Sequence, residues 1–195
     1  IAYSSVGHMG FVLLGIATLT STGFQAALIG NIAHGLITGL LFFLAGAIKD
    51  RLGVGDLGEL GGLRETAPGL AGLLGFAAIA SLGLPGLAGF WGEAFAVYAA
   101  LQLGGVHWIT LGALAAVGGA LTAAYFLRLL RRATHGPAAP PVARLAPVSG
   151  EGRLASAELA AWAPLAVLTL AIGLAPGLVL WFTADPVQSL LAVLR

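Results

Sequence analysis

The sequence predicts an all-α integral membrane protein, a polytopic bundle of about five transmembrane helices, one of them broken between Gly83 and Gly89. Three observations predict it. Hydrophobic residues make up 58% of the chain and charged residues 9%, against about 25% charged in a soluble domain. The apolar residues gather in stretches that reach the roughly 20 residues a bilayer crossing needs. Finally, no Lys, Arg, Asp or Glu precedes Lys49, and the stretch from Thr66 to Leu127 holds one such residue, Glu93.

The first apolar stretch covers 1–19. It starts mid-run at Ile1, with no basic n-region and no small-residue cleavage site, so it reads as part of a span in a longer polypeptide and not as a signal peptide. The second covers 24–48. The third, 68–103, is too long for one straight span. The fourth covers 106–130 and the fifth 159–183. Asp185-Pro186 then reads as a helix stop before a short amphipathic tail. Residues 1–132 form one membrane region, 133–158 a loop, and 159–195 the final span with its tail.

The connections differ in kind. Thr20–Gly23 and Gly104–His107 carry no Lys or Arg. Lys49, Arg51 and Arg64 lie in the second connection. Arg128, Arg131, Arg132, Arg144 and Arg153 lie in the fourth, where Pro137, Pro140, Pro141 and Pro147 predict an irregular loop. A five-span count puts both basic connections on one side. The positive-inside rule makes that side cytoplasmic, for loops 49–67 and 131–158, and puts the C-terminus outside. Gly35 with Gly39, and Ala115 with Gly119, show the small-xxx-small spacing that lets helix backbones approach closely in lipid.

Composition also excludes. With no cysteine there is no disulfide, thiolate zinc site, cysteine-held iron–sulfur cluster or c-type haem attachment. The net charge of +1 and short basic clusters give no sign of a nucleic-acid partner. No carboxylate or cysteine stands at metal-ligand spacing to the membrane histidines, so no metal site is expected.

Glu93 is the most informative residue. An ionisable group at membrane depth costs about 2.5–3.5 kcal/mol on insertion scales and commonly marks a proton or ion path. The bland alternative is a carboxyl near a helix end that reaches the interface. Just before it, Gly83, Pro85, Gly86 and Gly89 oppose a regular helix. Pro85 donates no N–H and clashes with the carbonyl of Ser81, and the glycines lower helix propensity. Broken helices are tolerated in membranes where freed backbone groups line a cavity. His34 lies mid-span in the second stretch, on one face with Asn31 and Thr38. His8 lies in the first, with Ser4 and Ser5 one turn earlier. Histidines titrate near neutral pH, so a buried pair can relay protons; each can equally be a hydrogen-bonded packing residue. Glu93, His34 and His8 are therefore the candidate proton-transfer residues, with Asn31, Thr38, Ser4 and Ser5 as polar lining. His107 and His135 fall in connections and are expected to be solvated.

Three segments occur in order: AYSSVGHMGFVLLG at 2–15, NIAHGLITGLLFFLAGAI at 31–48, and GLPGLAGFWGE at 83–93. Together they resemble the C-terminal part of the antiporter-like membrane subunits of proton-pumping NADH:quinone oxidoreductase, respiratory complex I. That family also includes subunits of multi-subunit sodium/proton antiporters and membrane-bound hydrogenases. The resemblance runs to about residue 132. Glutamate at position 93, where other members carry lysine, is similar to the chain M (chain 4) type. Gly7, Trp91 and Ala94 depart from the family's usual residues.

The resemblance implies a proton-translocating subunit driven by quinone reduction elsewhere. Glu93 would be its terminal protonatable residue, and His8 and His34 part of its central axis. It implies no cofactor in this chain, with NADH, FMN, iron–sulfur clusters and quinone held by other subunits. The implied partners are other membrane subunits of the complex, of the chain L and chain N type, and lipid. The implied location is the cell inner membrane. Two other readings are a sodium/proton antiporter or hydrogenase subunit, and a structural membrane scaffold with no proton path of its own.

Overall fold

A computed structural model describes residues 1–145 and 154–194. The described residues are helical, with no strand. In order they form α1 (Ser4–Ala17), α2 (Ser21–Leu52), a 3-10 turn (Leu57–Glu59), α3 (Leu63–Thr66), α4 (Pro68–Ser81), α5 (Ala88–Leu103), α6 (Gly105–Thr134), α7 (Pro140–Ala143), α8 (Ser156–Leu174) and α9 (Gly177–Leu194). Four of them, α2, α6, α8 and α9, are long and apolar enough to cross a membrane.

The long helix α2 is the axis of the bundle. The Thr20 hydroxyl accepts the Gly23 N–H at its start, and Gly53, in the left-handed conformation, closes its end. At 1.5 Å per residue its 32 residues extend about 48 Å, well beyond the hydrocarbon layer. Leu40, Leu41 and Leu44 of α2 are fully buried with Leu70, Ala77, Ala78 and Ala80 of α4 and Phe126 of α6. Leu114, Val117, Leu121, Trp181 and Phe182 point outward and are exposed. Lipid tails are as apolar as leucine, so close packing and polar contacts hold such a bundle together.

The third stretch is two half-helices, as expected. Helix α4 has 14 residues and α5 has 16, about 21 and 24 Å, so neither alone spans the roughly 30 Å core. Gly89 packs beside Ile37 and Gly92 beside Gly30, so α5 continues along α2 where α4 leaves off. The two halves make one interrupted crossing.

The last span is built differently from the expectation of a 159–183 helix stopping at Asp185-Pro186. The break falls earlier, at Ala175-Pro176, and α9 runs through Asp185 and Pro186 to Leu194. Ala175 takes a non-helical backbone (φ −133°, ψ 71°), since a following proline disfavours the α region. Pro186 removes one backbone hydrogen bond, but Val187 and Leu191 beyond it are buried and keep the helix docked. The pair α8–α9 lies antiparallel along α2. Arg51 bonds Glu158 at 2.6 Å at one end, Thr183 donates to Gln25 Oε1 farther along, and Gln188 donates to the Ser21 hydroxyl at 3.2 Å at the other. The chain thus passes along the bundle five times, through α1, α2, α4–α5, α6 and α8–α9.

Both basic connections meet at one end of the bundle. Ala139 N–H donates to the Gly61 carbonyl at 3.1 Å, and Gly62 N–H to the His135 carbonyl at 3.3 Å. The predicted irregular loop is partly helical. Helix α6 continues to Thr134, because Ala133 is buried and Leu129 and Leu130 pack on the core, and α7 adds one turn. Pro147 and Arg153 lie outside the described residues. Among the described residues no atom stands within 4 Å of where a Cβ on Gly35 would be. A close approach of α2 and α5 is between Gly30 and Gly92, where a Cβ on Gly92 would stand 2.6 Å from the Gly30 Cα.

Candidate functional site

The site grows out of the interruption between α4 and α5. Pro85 cannot donate to the Ser81 carbonyl, and Gly83 and Gly86 adopt φ of +78° and +94°, conformations that residues with a Cβ rarely take. Helix α5 starts afresh at Ala88, and Glu93 comes in its second turn. The restart turns Glu93 back toward the break. Its Oε2 lies beside Gly83, where a Cβ would stand only 2.9 Å away.

His8 of α1 meets Glu93 there. His8 Nδ1 and Glu93 Oε1 are 3.0 Å apart, with the side chains 12% and 17% exposed. The other ring nitrogen, Nε2, is 3.1 Å from the Ser81 hydroxyl. His8 therefore bridges the two halves of the interrupted crossing. The His34 ring lies 5.4 Å from the His8 ring, centroid to centroid, tilted by 48°. His34 Nδ1 is 3.2 Å from the Thr38 hydroxyl of its own helix. His8, His34, Ser81 and Glu93 line one cavity of about 20 Å³, room for about one water. Phe11, Val12, Ala33 and Ile37 complete much of its wall, so the polar groups face one another inside an apolar shell.

Of the residues the sequence singled out, Glu93 and His8 are in direct contact, and His34 and Thr38 adjoin them. Gly83, Pro85, Gly86 and Gly89 form the break or its edge. Asn31 is exposed on the opposite side of its helix turn from the buried Ala33. Ser4 is buried but bonds the Ile1 carbonyl at 2.6 Å, and Ser5 is half-buried; neither serine reaches His8 by a hydrogen bond. His107 and His135 are exposed, as expected. Ser81 is the residue that sequence reasoning noticed for its carbonyl and missed for its hydroxyl. Its signal was a lone hydroxyl in an apolar run at the point where the helix must stop. Among the described residues no three His, Cys, Asp or Glu come together to hold a metal ion.

The chain as a whole has known relatives. The family model described as NADH:quinone oxidoreductase/Mrp antiporter, transmembrane, matches residues 1–122. The chain belongs to that family. It is 44% identical over 149 residues to an NAD(P)H-quinone oxidoreductase chain 4 of Trichodesmium erythraeum, covering 74% of this chain and 26% of the relative. It is 35% identical over 140 residues to the chloroplastic chain 4 of Cryptomeria japonica, covering 70% and 28%. Among solved structures, a chain of respiratory complex I from Thermus thermophilus with bound NADH matches with TM-score 0.77 and 34% identity, over 97% of this chain and 38% of that one. A chain of the Mrp complex from Dietzia sp. matches with TM-score 0.79 and 27% identity, over 97% and 44%. The chain thus spans roughly a quarter of the length of these curated relatives. Family membership makes it a polytopic membrane chain, similar to the chain 4 relatives as the glutamate at position 93 suggested.

Proposed function

We propose that this chain belongs to a proton-translocating membrane subunit of an NADH:quinone oxidoreductase, in which Glu93 gains and loses a proton through His8. The observation that carries it is the 3.0 Å carboxylate–imidazole pair at a helix break inside the bundle. A proton moves between Nδ1 and Oε1 over that distance without displacing either side chain. A cation that approaches the pair favours the ionised carboxylate and one that withdraws favours the protonated form, so a cation moving elsewhere in the subunit unloads or loads the pair. The drive is quinone reduction in other subunits, which also hold the NADH, FMN and iron–sulfur chemistry. Neighbours of the chain L and chain N type and lipid surround the bundle in the inner membrane. The end where Gly61 and Gly62 meet His135 and Ala139 faces the cytoplasm, which makes loops 49–67 and 131–158 cytoplasmic, and the C-terminus faces outside.

The test is Glu93→Gln in the assembled complex carrying the full-length subunit. We expect a severalfold loss of protons moved per electron and slower coupled turnover, with partial retention by Glu93→Asp. An assembled Gln variant that pumps at the wild-type ratio refutes the role. The likeness to the Mrp complex supports a second reading, sodium/proton antiport. Transport that requires sodium and ignores quinone-site inhibitors would favour it.

A further inference from the structure

We propose that protons reach His8 through Ser81, so that the relay runs Ser81–His8–Glu93 and not directly from His34 to His8. The inference rests on the Glu93 reading and extends it.

Hydrogen bonding around His8 leaves little choice. An imidazole has two nitrogens, and each makes one in-plane hydrogen bond. Nδ1 is taken by Glu93 at 3.0 Å and Nε2 by Ser81 at 3.1 Å. His34 has no such bond to His8; it bonds Thr38, and the two rings only pack side by side. A proton entering His8 along an existing hydrogen bond and leaving toward Glu93 must therefore enter at Nε2.

Ser81 differs from the hydroxyls that settle on their own helix. Thr110, Thr122 and Thr134 each donate to the carbonyl four residues back, the common resting place for a hydroxyl in an apolar helix. Ser81 ends α4, is 3% exposed, and reaches out of its helix to His8. A hydroxyl both donates and accepts, so it fits both states of the pair. With Glu93 ionised, Nδ1–H points at Oε1 and Nε2 accepts the Ser81 O–H. With Glu93 protonated, its O–H points at Nδ1 and Nε2–H donates to Ser81 Oγ.

The transfer balances. A proton from a hydronium in the cavity bonds to Ser81 Oγ, and the hydroxyl proton passes to Nε2. The Nδ1 proton passes to Oε1. Three bonds to hydrogen form and three break, and Glu93 ends neutral. Ser81 and His34 line the same cavity of about 20 Å³, which has room for about one water. A carboxylate–imidazole–hydroxyl row also occurs in acyl-transfer enzymes, but this cavity admits no acyl substrate.

The experiment compares Ser81→Ala, Ser81→Thr and Glu93→Gln in the assembled complex carrying the full-length subunit. Protons moved per electron are normalised to electron transfer from NADH to a water-soluble acceptor, which reports intact complex. We expect Ser81→Ala to fall toward the Glu93→Gln ratio and Ser81→Thr, which restores a hydroxyl, to recover most of it. Wild-type pumping by Ser81→Ala beside an impaired Glu93→Gln overturns the role of Ser81 and leaves that of Glu93 standing. Ser81→Thr as impaired as Ser81→Ala also overturns it, because volume and not the hydroxyl would then matter. Full pumping by Glu93→Gln removes the reading on which both rest.

Discussion

Gly83 carries two constraints that can be separated by mutation. Its φ of +78° is left-handed, which raises the energy of a residue with a Cβ by about 1–2 kcal/mol. Its missing Cβ also makes room for the Glu93 carboxylate. Gly86 shares the first constraint, at φ +94°, but its Cβ would meet only Leu174 at 3.9 Å. We therefore expect Gly83→Ala to assemble but lose coupled turnover, and Gly86→Ala to lose thermal stability by a similar amount while keeping more of its turnover. Equal turnover in the two variants would show that the carboxylate tolerates displacement. Glu93 and His8 were legible in the sequence because each is a costly group in an apolar run. The hydroxyl of Ser81 was not. Its partner lies 73 positions away on another helix, and the register of α1 against α4 depends on packing that a single chain's periodicity does not encode. The same limit applies to Asn31, which shares a nominal face with His34 but is exposed.

At the scale of helices, spacing and contact part company. The small-xxx-small pair Gly35 and Gly39 has the expected pattern, yet the backbones meet at Gly30 and Gly92. Gly92→Leu should therefore abolish assembly of the subunit, while Gly35→Leu should leave it largely intact; overpacking costs about 1–3 kcal/mol or more where the backbone cannot yield. The amount of subunit recovered in the purified complex measures this. Prolines were similarly uneven guides. Pro85 marks a true break because Gly83 and Gly86 beside it favour the turn. Pro176 makes another, which hydropathy hides because the apolar run passes straight through it. Pro186 makes none, since the buried Val187 and Leu191 beyond it hold α9 in place. A proline removes a bond; the packing of the residues after it decides whether the helix ends.

Across the whole molecule, α8–α9 acts as a strap along α2 and against the break. The Trp91 indole N–H donates to the Gly173 carbonyl at 2.8 Å, near the end of α8 where Pro176 interrupts the backbone ladder. Trp91→Phe keeps an aromatic ring and removes this bond, and should lower stability by about 1 kcal/mol, read as a lower unfolding temperature of the detergent-solubilised complex, with the Glu93-dependent proton yield little changed. An unaltered unfolding temperature would mean that the strap is held by its apolar contacts alone. The topology was legible at this scale because charge marks the connections. Lys49, Arg51, Arg64 and the arginines ending α6 predict that two connections share a side, and those connections touch.

Ser81 and Glu93 stand on opposite banks of the gap between α4 and α5, with His8 reaching both from a third helix. Contacts of 3.0 and 3.1 Å leave hydrogen-bonding range after a drift of roughly half an ångström. A slight parting of the two half-helices is therefore enough to break both contacts, and their rejoining enough to restore them, so the proposed relay can be timed by motion too small to disturb the rest of the bundle.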